Sequence, residues 1–177
     1  MYSRGFVIPV LKKILVVCVG NICRSPMAEH LFRHHMSHTG ARFTSAGIGA
    51  LVGKPMDEMA LKLLAEHGID GADHRARQLS VSMLREADLV LAMEREHLRT
   101  LTCIAPEASG KMMLLDRWVS AADIPDPYRQ SREAFEHVFG MIEQGMRKWM
   151  TYMQPVRNVV ATAAARPQMG ASAAHSW

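Results

Sequence analysis

The chain has 177 residues, 49% of them hydrophobic and 21% charged, which suits one domain with a well-buried core. Its 21 Lys and Arg against 17 Asp and Glu leave a formal charge of +4, favouring anionic partners; with no Lys/Arg run or aromatic-interleaved basic stripe, a nucleic-acid binder is excluded. The odd set Cys18, Cys23 and Cys103 excludes a disulfide framework, and no apolar run reaches the roughly 18 residues of a membrane span.

The opening "MYSRGFVIPVLKKILVVC" has the outline of a signal peptide, but Lys12-Lys13 split its apolar residues and no small-residue cleavage site follows. Residues 1–11 therefore read as a short extension, and a cytoplasmic location is expected. Ile14 to Val17 is β-branched-rich without alternation, as for a strand buried on both faces. A helix is predicted from about Ser25-Pro26, with Met27, Ala28, Leu31 and Phe32 on one side. His30, His34, His35 and His38 fall within or just after it. Their i, i+4 spacings could hold a metal, but no acid completes a site and Glu29 is expected to point elsewhere, so the group reads as a solvated basic face. No metal or other cofactor is expected.

"ARFTSAG" (41–47) reads as a second strand ending in a turn. Asp57 is placed to cap a helix carrying Met59, Ala60, Leu63 and Leu64, closed by Gly68. "DLVLAM" (88–93) is a third buried strand, followed by a helix with Leu98 and Leu101, and "KMMLLD" (111–116) a fourth. After a loop from Arg117 to Pro127, a long helix shows a 3.6-residue stripe of Phe135, Val138, Phe139, Ile142, Met146, Trp149 and Met150. Such alternation of strands and helices predicts an α/β domain over 12–152, a parallel sheet with helices on both faces. The segment 153–177, rich in Ala and Ser from about Val156, shows no stripe and is expected to be a disordered tail.

The chemistry lies in "VCVGNICRSP" (17–26), between the end of a strand and the start of a helix, where open α/β sheets bind ligands. A helix N-terminus favours an anion, Gly20 lets the loop amides turn inward to cradle phosphate, and Arg24 offers a planar fork for two phosphate oxygens. Such surroundings favour the thiolate of Cys18, which facing a phosphate ester is a nucleophile aimed at phosphorus. Ser25 can donate to the sulfur and steady it as a leaving group. A lone C-x5-R is a weak signal; the strand–turn–helix context strengthens it.

"CVGNICRSP", "SAG" (45–47), "DHRARQL" (73–79) and "DPYRQSREAFEHV" (126–138) resemble, in order and spacing, the low-molecular-weight protein tyrosine phosphatases, closest to the bacterial branch associated with exopolysaccharide production. The resemblance covers about residues 12 to 152. It implies a three-layer fold with a four-stranded parallel sheet of order 2-1-3-4 and metal-free hydrolysis of phosphotyrosine through a phosphocysteine intermediate. Carried over, Cys18 is the nucleophile, Arg24 the phosphate clamp, and Asp126 the acid that protonates the leaving phenolate. Val19, Gly20, Asn21, Ile22, Cys23 and Ser25 complete the phosphate loop, with Asn21, Ser25, Ser45 and His74 forming its hydrogen-bonded support. Tyr128 and Leu51 become walls for the substrate ring. Cys23 is implied as a reversible disulfide partner of Cys18, with a packed loop thiol as the open alternative. Arg129 stands where animal members carry a second tyrosine, which puts regulation by phosphorylation there in doubt.

The implied partners are a phosphotyrosine protein, an autophosphorylated bacterial tyrosine kinase or a sugar-pathway enzyme, and inorganic phosphate as product and inhibitor. Two rivals remain. An arsenate reductase would need a closely spaced late cysteine pair, whereas only Cys103 follows the loop. A non-enzymatic phosphotyrosine binder would have no use for Asp126. A nucleotide-binding loop fails for want of G-K-[ST].

Overall fold

The structure, a computed structural model, describes residues 11–153. Residues 1–10 of the expected extension and 154–177 of the expected tail lie outside it. Leu11 packs against the core and Met153 is buried, so the packed body reaches one residue beyond 12–152 at each end.

The order is β1 (Lys13–Cys18), α1 (Arg24–His35), a 3-10 turn (Ser37–Thr39), β2 (Arg42–Gly47), α2 (Glu58–Glu66), α3 (Val81–Glu86), β3 (Leu89–Ala92), α4 (Arg95–Ile104), a 3-10 segment (Pro106–Lys111), β4 (Met112–Leu114) and α5 (Arg132–Met153). The strands form one parallel sheet of order β2-β1-β3-β4, with Leu15 of β1 opposite Thr44 and Val90. β1 is central, and its side chains go alternately to two cores. Ile14, Val16 and Cys18 meet Leu31 and Phe32 of α1 and Ile142 and Met146 of α5; Leu15 and Val17 meet Leu84 of α3 and Leu101 of α4. Two covered faces explain why the run shows no polar alternation. Each such side chain, fully buried, contributes roughly 2 kcal/mol.

Local chemistry sets the ends of the elements. The Asp57 carboxylate accepts the Met59 amide at 2.9 Å to start α2, and Gly68 follows with φ 74°, a backbone state a side chain would strain. β3 is shorter than 88–93 because the Asp88 carboxylate turns back to accept the amides of Lys12 and Lys13, each at 2.8 Å. β4 stops before residue 116 because buried Asp116 organises the next loop, accepting Ser120 Oγ at 2.5 Å and the Ala122 amide at 3.0 Å. α3 is an addition to the predicted elements. The expected α5 stripe is buried from Phe135 to Trp149, with Met150 only partly covered.

Candidate active site

β1 ends at Cys18 and α1 starts at Arg24, and the residues between them wrap into a loop at the C-terminal end of the sheet. The loop's carbonyls are pulled outward one after another. The Ile48 amide donates to Cys18 O at 3.0 Å, Gly49 to Val19 O at 3.1 Å, Leu51 to Gly20 O at 3.0 Å, and Asp57 to Ile22 O at 2.8 Å. His74 Nε2 donates to Asn21 O at 2.7 Å, which places its proton on that nitrogen. Carbonyls held outside leave the N–H groups facing in, and no amide of residues 19–23 is spent on an acceptor among the described residues. Such a ring of donors is an oxyanion cradle.

Two residues let the loop lie this close to β2. Asn21 takes φ 57°, a left-handed state that asparagine tolerates better than most side chains. At Gly47 an added Cβ would stand 2.4 Å from Val19 O and 2.9 Å from Ala50 Cβ, so only glycine lets the loop pass.

Behind the loop runs a buried chain of side chains. Cys18 Sγ lies 2.9 Å from Ser25 Oγ. Asn21 Nδ2 donates to Ser25 Oγ at 2.9 Å and to Ser45 Oγ at 2.8 Å, while its Oδ1 accepts the Arg77 amide at 2.9 Å. Ser45 Oγ donates to Glu29 Oε2 at 2.5 Å, and Arg33 closes the chain on Glu29 Oε1 at 2.6 Å. Glu29, expected to point away from the histidines, bonds Ser45 and Arg33 rather than any of them and is buried beneath the loop. Of the expected solvated histidine face, His34 and His38 are exposed and His35 partly so, but His30 is buried, bonded to Pro26 O at 2.9 Å and to Asp73 at 3.2 Å.

Arg24 is 2% exposed, and a cation so buried must be paired. Its Nη1 bonds Glu94 Oε1 and Ile124 O, the latter at 2.9 Å, and its Nη2 lies 2.9 Å from Asp126 Oδ2. Asp126 stands across the cavity from β1, its Oδ1 accepting the Tyr128 amide at 3.2 Å. Glu94, just past β3, and His97, three residues on, are site residues that sequence reading missed. The rule that side chains beyond strand ends line such clefts would have pointed to Glu94.

A cavity of about 200 Å³ is lined by residues 18 to 24 with Gly49, Leu51, Asp126 and Tyr128. Leu51 and Tyr128 are exposed at its mouth, and the Arg129 guanidinium lies 5.1 Å from the centre of the Tyr128 ring. Ser25, Ser45 and His74 sit behind the loop. Burial, and next Asp57, push the Cys23 thiol far above its ordinary range, so it stays protonated. Burial pushes His74 below the ordinary imidazole value, keeping it neutral. Among the described residues no group of three or more His, Cys, Asp or Glu is arranged to hold a metal ion, and no helix is long and apolar enough to cross a membrane.

Residues 13–160 match the family described as "Low molecular weight phosphotyrosine protein phosphatase". The chain belongs to that family. Among its curated relatives, the low-molecular-weight protein-tyrosine-phosphatase Etp of Escherichia coli K12 is 48% identical over 136 residues, 77% of this chain and 90% of Etp. Wzb of Salmonella typhimurium is 50% identical over 137 residues, 77% of this chain and 91% of Wzb. Among solved structures, Vibrio vulnificus Wzb in complex with benzylphosphonate superposes with a TM-score of 0.77 at 44% identity, covering 80% of this chain and 99% of that one. The low-molecular-weight phosphatase described here is therefore a protein-tyrosine-phosphatase, and its sheet order is the one its sequence resemblance implied.

Proposed function

We propose that this phosphatase hydrolyses phosphotyrosine in two displacements at phosphorus. In the first, the Cys18 thiolate attacks phosphorus while the phosphate oxygens rest on the amides of residues 19–23 and the fork of Arg24. The P–O bond to tyrosine breaks, and Asp126 gives its proton to the departing phenol oxygen. In the second, water attacks the phosphocysteine, the Asp126 carboxylate takes the water's proton, the P–S bond breaks, and inorganic phosphate leaves. Ser25 Oγ, 2.9 Å from Cys18 Sγ, steadies the sulfur as it departs. The acid–base partner contributes about 10²–10⁴ in rate.

The observation that carries this reading is the convergence of Cys18, Arg24 and Asp126 on one cavity floored by unspent amides. A bound phosphate would take the edge of Arg24 that now pairs with Asp126, freeing that carboxyl for the leaving oxygen. Tyr128 and Leu51 flank an aromatic ring, in keeping with the benzylphosphonate held by the Vibrio vulnificus relative. Cys103, exposed near the end of α4, does not line the cavity, which disfavours an arsenate reductase relaying a disulfide. The substrate we infer is an autophosphorylated tyrosine kinase of exopolysaccharide synthesis or export, met in the cytoplasm, with inorganic phosphate as product and inhibitor.

Rapid quenching of turnover with ³²P-labelled phosphotyrosine peptide tests the scheme. Label should be trapped on Cys18 and lost in Cys18→Ser; turnover without a trapped phosphothiol would overturn it.

A further inference from the structure

His97 is the one residue among the described set with a buried side-chain polar atom lacking any hydrogen-bond partner. The residue is 5% exposed, and the bare atom is Nδ1. A buried polar atom left unpaired is costly, and an apolar side chain could fill the place without that cost. The other nitrogen is the one with a polar neighbour. Nε2 lies 3.4 Å from Glu94 Oε1, the same oxygen that pairs with Arg24 Nη1. One carboxylate oxygen therefore stands between the imidazole and the guanidinium.

Of the two acids on Arg24, Asp126 is 48% exposed and Glu94 30% exposed, so neither is held in place by burial alone. Burial pushes His97 below the ordinary imidazole value, against the opposing pull of Glu94, Asp126 and Asp123 and with the help of Arg24. Its single proton belongs on Nε2, where an acceptor faces it, rather than on Nδ1, where none does.

We infer that His97 is a positioning residue: its Nε2 edge holds Glu94 against Arg24 and so sets the plane of the guanidinium that receives phosphate. Removing the imidazole lets Glu94 turn outward, and Arg24 then follows Asp126 alone. The inference rests on the reading that Arg24 binds the substrate phosphate.

The test is a double-mutant cycle. kcat and KM for p-nitrophenyl phosphate and the inhibition constant of inorganic phosphate are measured for wild type, His97→Phe, Glu94→Gln and the double variant. His97→Asn, which keeps an N–H donor, is the rescue. His97→Phe is expected to lower kcat/KM and weaken phosphate inhibition about tenfold. Glu94→Gln alone and the double variant should then be alike, with His97→Asn recovering most of the loss. If His97→Phe does not fold, His97→Leu runs the same cycle. The inference is overturned if the histidine variants stay within about twofold of wild type, or if the two losses multiply as in independent sites. A wild type that leaves p-nitrophenyl phosphate intact would overturn the phosphatase reading instead.

Discussion

Gly47→Ala puts the geometry of the phosphate loop to a direct test, because the added methyl would meet backbone rather than a flexible side chain. The new Cβ would stand 2.4 Å from Val19 O and 3.0 Å from Ala50 Cα. An ordinary contact between carbon and a carbonyl oxygen is about 3.3 Å, so the Val19 peptide has to retreat by roughly 0.9 Å. That peptide is one wall of the cradle, and it is pinned from outside by the Gly49 amide at 3.1 Å, so the retreat spreads along residues 18 to 20. Misplacement on the scale of 1 Å in a preorganised site costs about 10²-fold. The expected result is a fall in kcat/KM for p-nitrophenyl phosphate of about 10²-fold, with phosphate inhibition weakened in parallel and stability lowered by about 1–3 kcal/mol, the usual cost of overpacking. Steady-state kinetics and urea unfolding on the same preparation separate the two effects. Activity within about twofold of wild type would mean that the close approach of β2 does not shape the cradle, and the account of the loop would be wrong.

Asp126→Asn should slow esters of poorly acidic phenols by about 10²–10³ and those of good leaving groups much less; an equal loss across a leaving-group series would remove Asp126 from the role of acid. The amides of Lys12 and Lys13 hold the Asp88 carboxyl below the usual carboxylate range. A group depressed in the folded state stabilises above its unfolded value, about 3.9, and loses that contribution as pH falls through the folded value. Asp88→Ala should therefore be less stable than wild type at neutral pH in urea titrations, and the two should converge at acid pH. His74 is likewise depressed, by burial, so its contribution is complete above about pH 6.5 and is lost as pH falls further. His74→Gln, which keeps a donor for Asn21 O, should flatten the decline in stability below about pH 6.5. An unchanged slope would locate that decline elsewhere.

What could be read from the sequence was whatever is decided within a few residues. Ile14 to Val17 declares a doubly covered strand, Asp57 a helix cap, and the stripe from Phe135 a packed helix, because period and capping chemistry are local. The loop from Cys18 to Ser25 was legible for the same reason, its glycine, arginine and cysteine lying in one short run. α3 was not, since six residues hold too little of a period to stand out. His30 was misread, and the place of Glu29 under the loop was not foreseen, because a polar residue on a helix is by default assigned to water. Their partners, Ser45 and Asp73, are 16 and 43 residues away and reach them only once β2 and the 70–79 segment are folded against α1. Glu94 escaped although it directly follows the third predicted strand, because the partner that gives it a role, Arg24, is 70 residues earlier.

The arginine at the centre of the site is held by two acids that differ in kind. Glu94 sits between β3 and α4, abutted by His97, on a segment fixed by the sheet. Asp126 sits on the proline-bracketed loop after Asp116 and is the more exposed of the two. Both neutralise the same buried charge, so Arg24 needs no ligand to be stable where it is. In the proposed mechanism an entering dianion competes for the guanidinium edge, and the partner that yields is the more exposed one, with the smaller desolvation penalty. That is Asp126, while Glu94 stays to keep the guanidinium plane aligned. In that mechanism the displaced carboxyl then lies beside the leaving oxygen of the bound ester. On the proposed mechanism, Arg24→Lys, which offers a point charge in place of a fork, should hold phosphate without releasing Asp126.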